Sequence, residues 1–474
     1  MGSYSRTAYF AIIKETTEAT AVKPNVFIPL ISEDIVTEWG AIAAQPVANN
    51  RSLNFRLVDT AIPAPTGTVT IQVEPRNIGH FLYGVFGSVS TGRYMPITSA
   101  SGDFTVGETI TGGTSLKTAT VVISSKERDY ILVSSPSGTF TNAETLTGGT
   151  SAKTATLTSY DTAMYGHEFV APSTTLPTYT IEFGFDNEAY RYTGVRFNAI
   201  TFNQTDNILT AEVSVTARYE FKMAYVNAAT TSGAGSKLIS VDQTMGLAAG
   251  DTVKIYRPST SSFIDFVSAS VKTHTIDSIG SADTYFAVTN LQTSTVIGDL
   301  VVLAPQTPSY AVGNELAWIG QSVVTLDTTI DNVITNATTE SIEDAEITLT
   351  NALEPRHAAN AIKLKDRFPA TTFLAGLTGA GSLTRTYTDM EFLDKLRMSR
   401  KFAARILTTG ATMPTATSYN FKLDWRVPKA HHTAFNPSIG NDDLLNQEMP
   451  FDMFYDSTDA YFLKALLVNE NTAY

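Results

Sequence analysis

The residues that could do chemistry are few, and their spacing argues against it. The six histidines are His80, His167, His274, His357, His431 and His432. None has a partner at metal-site spacing. His431 and His432 are adjacent, so in a strand they point to opposite faces. His80 falls inside a helical stripe and reads as helix packing. Asn441-Asp442-Asp443 has the oxygens to hold a cation but reads as a solvated turn. Glu108 and Glu144 occupy equivalent positions of a repeat, which marks duplication rather than the carboxylate dyad of a glycosidase. There is no Gly-x-Ser-x-Gly elbow and no Asp-rich calcium loop. The chain has no cysteine, which excludes thiolate nucleophiles, thiolate metal sites and disulfides. The sequence therefore predicts no catalytic residue, no cofactor and no metal. Trp39, Trp318 and Trp425 read as core or interface anchors.

Composition narrows the class further. The 474 residues carry a formal net charge of −13, a poor balance for gripping phosphates. The same charge suits a surface that nucleic acid slides past without sticking. Basic residues do not cluster with aromatics, so sequence-specific reading of DNA is not expected. No apolar stretch approaches the ~20 residues of a membrane span, and no signal peptide or membrane anchor is expected. Thr, Val, Ile and aromatic residues are abundant and helical stripes are few, which predicts a mainly β protein. The length predicts two to four domains.

The most informative stretch is residues 51–87. Val69, Ile71 and Val73 share one face of a strand; Thr68, Thr70, Gln72 and Glu74 share the other. Pro75 then suits the first turn of a helix. Ile78, Phe81, Leu82, Val85 and Phe86 form its apolar stripe, and Gly87 is its stop. The same grammar returns about three hundred residues later. Ser382 to Tyr387 alternates, Thr388 and Glu391 have capping-box spacing, and Phe392, Leu393 and Leu396 make a second stripe. Further strands are predicted at Tyr9–Ile13, Phe27–Ile31, Tyr179–Phe185, Tyr190–Phe202, Leu209–Ala217, Tyr419–Val427 and Met449–Tyr455. Tyr419–Val427 is expected to mirror Tyr179–Phe185, and Met449–Tyr455 to mirror Leu209–Ala217.

Two stretches interrupt this duplication. In residues 101–160, Gly107 to Thr120 recurs as Ala143 to Thr156, an offset of 36 residues. Two copies are too few for a solenoid and predict a small β module of two Gly-Gly hairpins. Residues 228–310 open on a linker-like Thr230 to Ser236 and carry turn-then-strand signals at Gly250-Asp251 and Gly298-Asp299. The predicted organisation is a first main domain over 1–100 and 161–227, inserted β modules at 101–160 and 228–310, and a second main domain over 311–474. Both modules are expected on the exterior.

Several segments resemble the tail tube, or major tail, proteins of long-tailed phages. They are the loop Lys14 to Val22, the strand and helix from Thr68 to Phe86, and the hairpin Ala189 to Asn198 with its Tyr192-Thr193-Gly194-Val195-Arg196. Arg426-Val427-Pro428-Lys429-Ala430 and Leu467-Val468-Asn469 continue the likeness. The likeness covers most of the chain outside the two insertions. It implies two tandem tail-tube-like β-sandwich domains, each with a flanking helix. In that family six such domains close a ring, the inner wall is a continuous β-barrel, and stacked rings conduct DNA. With two domains per chain, three copies would make a pseudo-sixfold ring; with one, six copies would be needed. The resemblance also implies a tape-measure protein and tail-end proteins as partners, assembly in the host cytoplasm and a place in the virion tail. Thr70, Gln72, Glu74, Glu212 and Ser214 are the candidates for lining the bore, and the loops at 40–66 and 355–381 are the candidates for contact from one ring to the next. The competing reading is a multi-domain β adhesin or receptor-binding virion protein that uses the Gly-Gly hairpins as its surface.

Overall fold

The computed structural model describes residues 8–38, 41–44, 56–59, 62–171, 175–204, 208–264, 272–280, 284–310, 322–335, 339–340, 342–357, 368–386, 397–398, 400–434, 436–438 and 446–474. The chain is mainly β, as its composition predicts. It begins with β1 (Tyr9–Lys14), β2 (Val26–Ile28), β3 (Leu30–Glu33), β4 (Ala41–Ala44), β5 (Arg56–Asp59) and β6 (Thr66–Gln72). After a turn at Pro75 comes α1 (Ile78–Phe86). Its stripe is fully buried, and Gly87 ends it in the left-handed region at φ 75°, donating its N–H to Tyr83 O at 2.8 Å.

β7 (Ser90–Thr98), β8 (Thr109–Gly112), β9 (Thr118–Ser124), β10 (Tyr130–Ser134), β11 (Thr145–Gly148), β12 (Thr154–Leu157) and β13 (Tyr165–Val170) follow. The predicted hairpins are β8–β9 and β11–β12, packed around a core of their own that includes Ile110, Ala119, Leu146 and Ala155. The chain returns through β14 (Tyr179–Gly184), β15 (Ala189–Gln204), β16 (Thr210–Thr216) and β17 (Tyr219–Phe221). The second module contains β18 (Ala224–Tyr225), β19 (Gly233–Ser240), β20 (Thr252–Arg257), β21 (Ser262–Phe263), β22 (His274–Ile279), β23 (Tyr285–Leu291) and β24 (Leu300–Leu303), again around its own core. Gly250 and Gly298 take φ of 84° and 91°, the turn geometry that their Gly-Asp dipeptides predict. The linker expected at 230–236 is partly wrong: β19 starts at Gly233 and pairs with β23.

The second half supplies β25 (Ser322–Asp327), α2 (Ile330–Thr335), β26 (Thr339–Glu340), β27 (Asp344–Arg356), β28 (Thr371–Thr386), β29 (Phe402–Thr412), β30 (Asn420–His432), β31 (Asn436–Ser438), β32 (Asn446–Met453) and β33 (Lys464–Asn469). The predicted second stripe, Phe392, Leu393 and Leu396, lies outside the described residues. So do Asn441-Asp442-Asp443, Trp39 and Trp318. The loop expected over 355–381 is corrected, because Thr371 onward is strand.

Strand pairing repeats between the halves. In the first, β2 pairs β1, β1 pairs β14, β14 pairs the start of β15, and that start pairs β17. The end of β15 pairs β16, β16 pairs β6, and β6 pairs β3. In the second, the same two runs are β26, β25, β29, the start of β30, β33, and then the end of β30, β32, β28, β27. β15 and β30 each pass from one sheet to the other; β15 does so near a register shift between Phe197 and Ala199. The pairing corrects one expectation: Tyr419–Val427 belongs to β30, the counterpart of β15, and the counterpart of β14 is β29. The match of β32 with β16 stands.

The halves meet edge to edge. β15 pairs β27 from Ala199 opposite Thr350 to Gln204 opposite Ala345. β3, β6, β16, β15, β27, β28, β32 and the end of β30 thus form one continuous eight-stranded antiparallel wall. A single apolar core behind it joins both halves, with Phe10, Phe81 and Val213 in the same cluster as Leu349, Trp425 and Phe451.

Candidate assembly surface

The wall sorts its side chains by the period of two. Val69, Val213, Ile200 and Leu349 sit side by side across four strands and are buried. On the opposite face, one register row runs Ser32, Thr70, Glu212, Thr201, Thr348, Ala380, Asp452, His431. The next row runs Gln72, Thr210, Asn203, Glu346, Ser382, Pro450. A third runs Thr68, Ser214, Ala199, Thr350, Thr378. The structure therefore brings Thr70, Gln72, Glu212 and Ser214 onto one face of one sheet. Glu212, Glu346 and Asp452 are exposed on it, and none of the row residues is Lys or Arg. Glu74 does not belong there. It lies beyond the end of β6, is 8% exposed, and accepts a hydrogen bond from Asn77 at the start of the helix.

The ends of the wall differ from its middle. β3 is the last described strand on one side; the end of β30 and β31 lie along β32 on the other. The equivalents of these two ends, β27 and β15, are paired to each other inside the chain. Unpaired strand edges invite further pairing.

Buried charge ties the modules to the outer sheets. Arg191, on the start of β15, is 1% exposed. It reaches Glu182 of β14 at 2.5 Å and Asp251 of the second module at 2.5 Å. Arg426, on the start of β30, is also 1% exposed and reaches Asp424 at 2.7 Å, with Asp129 and Glu127 of the first module at 3.0 Å and 3.2 Å. Lys464 of β33 completes this group, 2.6 Å from Glu127. Burial by itself pushes the Glu127 carboxyl up, but Lys464 and Arg426 outweigh it and hold the group well below the ordinary carboxylate range. Burial likewise opposes the charge on Arg191, and Asp251 and Glu182 more than restore it. These clamps were not anticipated. The available signal was Asp424 and Arg426 two apart on one strand face, which reads as wet until a module is seen to cover it.

Several of the other chemical candidates make structural contacts. Glu108 accepts hydrogen bonds from the Thr150 and Ser151 N–H groups and the Ser151 hydroxyl; Glu144 does the same for Thr114 and Ser115. Each carboxylate closes the turn of the other repeat. The His80 ring stacks edge-on with Tyr474, and burial lowers its pKa to about 4. His167 is bracketed by Thr91 and Asn469. His431 faces Asp452 across the wall, while His432 is buried against Phe402. Trp425 is buried beside Phe86 and Phe202. Among the described residues no group of His, Asp and Glu could hold a metal, and no helix is long and apolar enough to cross a membrane. No protein-family model and no curated protein matches this chain.

Proposed function

We propose that the chain is the structural subunit of a phage tail tube, located in the virion tail and catalysing nothing. The observation that carries this reading is the β15–β27 junction. Inside one chain it performs the edge-to-edge join that a ring of such units repeats. Among the described strands the outer edge of β3, the counterpart of β27, and the outer edge of β30 and β31, the counterpart of β15, take no further partner. Pairing them between chains makes three copies a closed ring, and the ring leaves no wall edge open. The exposed Glu212, Glu346 and Asp452 then face a bore whose charge repels DNA phosphates and lets DNA pass without specific binding. Both modules continue the outer sheets rather than the wall. The first joins through β7, β13 and β33, the second through β24 on the start of β15. That placement supports an exterior position. A tape-measure protein and tail-end proteins are the partners this reading requires.

Electron microscopy of the purified, concentrated chain tests it. Stacked rings with a central channel are expected. Discrete particles that bind glycan would favour the adhesin reading and overturn this one.

A further inference from the structure

We infer that the β4–β5 hairpin of one copy docks on the open edge of β28 in the next copy around the ring. The inference rests on the ring reading above and names a contact that reading does not specify.

The starting point is a contact inside the chain. Both described ends of the connection between β27 and β28 are held against the first half. His357 Nε2 donates to Ile62 O at 2.8 Å, and Arg218 Nε donates to Pro369 O at 3.0 Å. Phe368 and Ile62 are both buried and pack together with Met245. The described ends of that connection, His357 and Phe368–Pro369, therefore lie beyond β15 and β16, beside the residues that lead into β6.

The duplicated pairing gives this contact a counterpart. The connection from β27 to β28 corresponds to the connection from β3 to β6, which carries β4 and β5. The lead into β6 corresponds to the first part of β28. By the same geometry, the β3–β6 connection of the next copy reaches back across β30 and β32 and meets β28 of this one.

Among the described residues, both partners have an open edge. β4 (AIAA) and β5 (RLVD) pair only with each other among the described strands. A lone two-stranded hairpin is marginal in water and needs a third strand or a packing surface. β28 supplies one. β32 covers its second edge only from Ala380 to Thr386, so among the described residues Thr371–Gly379 is paired on the β27 side alone. Phe373 is 57% exposed there. A groove of about 470 Å³ beside this edge is lined by Leu377, Met453, Tyr455 and Phe462 together with Thr378 and Asp452. The stretch Thr371–Gly379 carries no charge, so main-chain pairing and apolar contact hold the added strand.

The absence of native cysteine makes disulfide trapping clean. Ala43→Cys is combined in one chain with Gly376→Cys, and separately with Thr378→Cys, to sample the register. Oxidised assemblies are run on a denaturing gel, and the same samples are imaged. Own-chain cross-links are not expected, because β16, β15 and β27 lie between β6, into which the hairpin leads, and β28, a span of roughly 19 Å at ~4.8 Å per strand. The expected result is covalent dimers and trimers with nothing larger, absent from each single-cysteine chain. Rings without a cross-link in either pairing overturn the docking alone. A ladder extending past trimer also overturns it, since the hairpin would then be reaching a neighbouring ring. A sample with no rings overturns the reading beneath it.

Discussion

Arg426 shows how a residue that looks solvent-facing in the sequence becomes one of the most constrained in the fold. It shares the polar phase of β30 with Asp424, yet the first module covers that phase and buries both. Breaking such a group from one side leaves a buried charge without its partner. Glu127→Gln is therefore expected to cost about 3–5 kcal/mol in chemical unfolding. A cost below about 1 kcal/mol, the worth of an exposed pair, would show the cluster to be hydrated. The Glu108 and Glu144 turns make a pH prediction. Burial raises these carboxyls, but the hydrogen bonds from Ser151 and Thr150, and from Ser115, Thr141 and Thr114, prevail and lower both. A lowered folded-state pKa gives stability that is present above the ordinary value of 4.5 and lost as pH falls through the lowered one. Glu108→Gln is expected to lose about 1.5–3 kcal/mol at neutral pH. It should also show a shallower loss on acidification, measured by denaturant unfolding at neutral pH and at about pH 3. Equal acid dependence in parent and variant would remove this role.

Among the elements, those with a clean period were legible. Val69 to Val73 alternates because one face meets the core and the other does not, and the α1 stripe is fully buried as its spacing predicts. Reading β30 instead of β29 as the counterpart of β14 has a physical origin. Tyr179–Phe185 and Tyr419–Val427 both alternate, and alternation reports a face without naming the neighbouring strand. Only the pairing distinguishes them. Module attachment was illegible for the reason given by Arg426: alternation cannot tell water from a covering module. The modules are thus keyed into the sheets rather than appended. Deleting residues 101–160 removes Glu127 and Asp129 and uncovers Arg426, Lys464 and the apolar Phe421, Leu466 and Val468 that pack against Tyr130 and Leu132. It should unfold the second half, or cut its stability by several kcal/mol, because that apolar area returns to water. A deletion as stable in denaturant unfolding as the parent would show the module to be appended rather than keyed in.

For the whole molecule, the bore candidates were legible as a polar strand phase, but their shared sheet was not. Register rows that link Thr70 and Glu212 to Thr348 and Asp452 depend on the β15–β27 junction, a contact between residues about 150 apart in sequence. The charge of that face carries its own prediction. Glu212→Lys, Glu346→Lys and Asp452→Lys together should leave the fold intact, since each is exposed. The assembled variant should retain DNA at about 50 mM salt and release it by about 200 mM, where the parent retains none at either. Equal behaviour of parent and variant would place the polar face away from the DNA path. The most direct test of the account is the mass of a single ring in solution, by native mass spectrometry of assemblies dissociated to rings. Closure of two joined halves per chain predicts three copies of the 51.2-kDa polypeptide. A ring of six copies would contradict it, because each chain would then contribute only half of its wall.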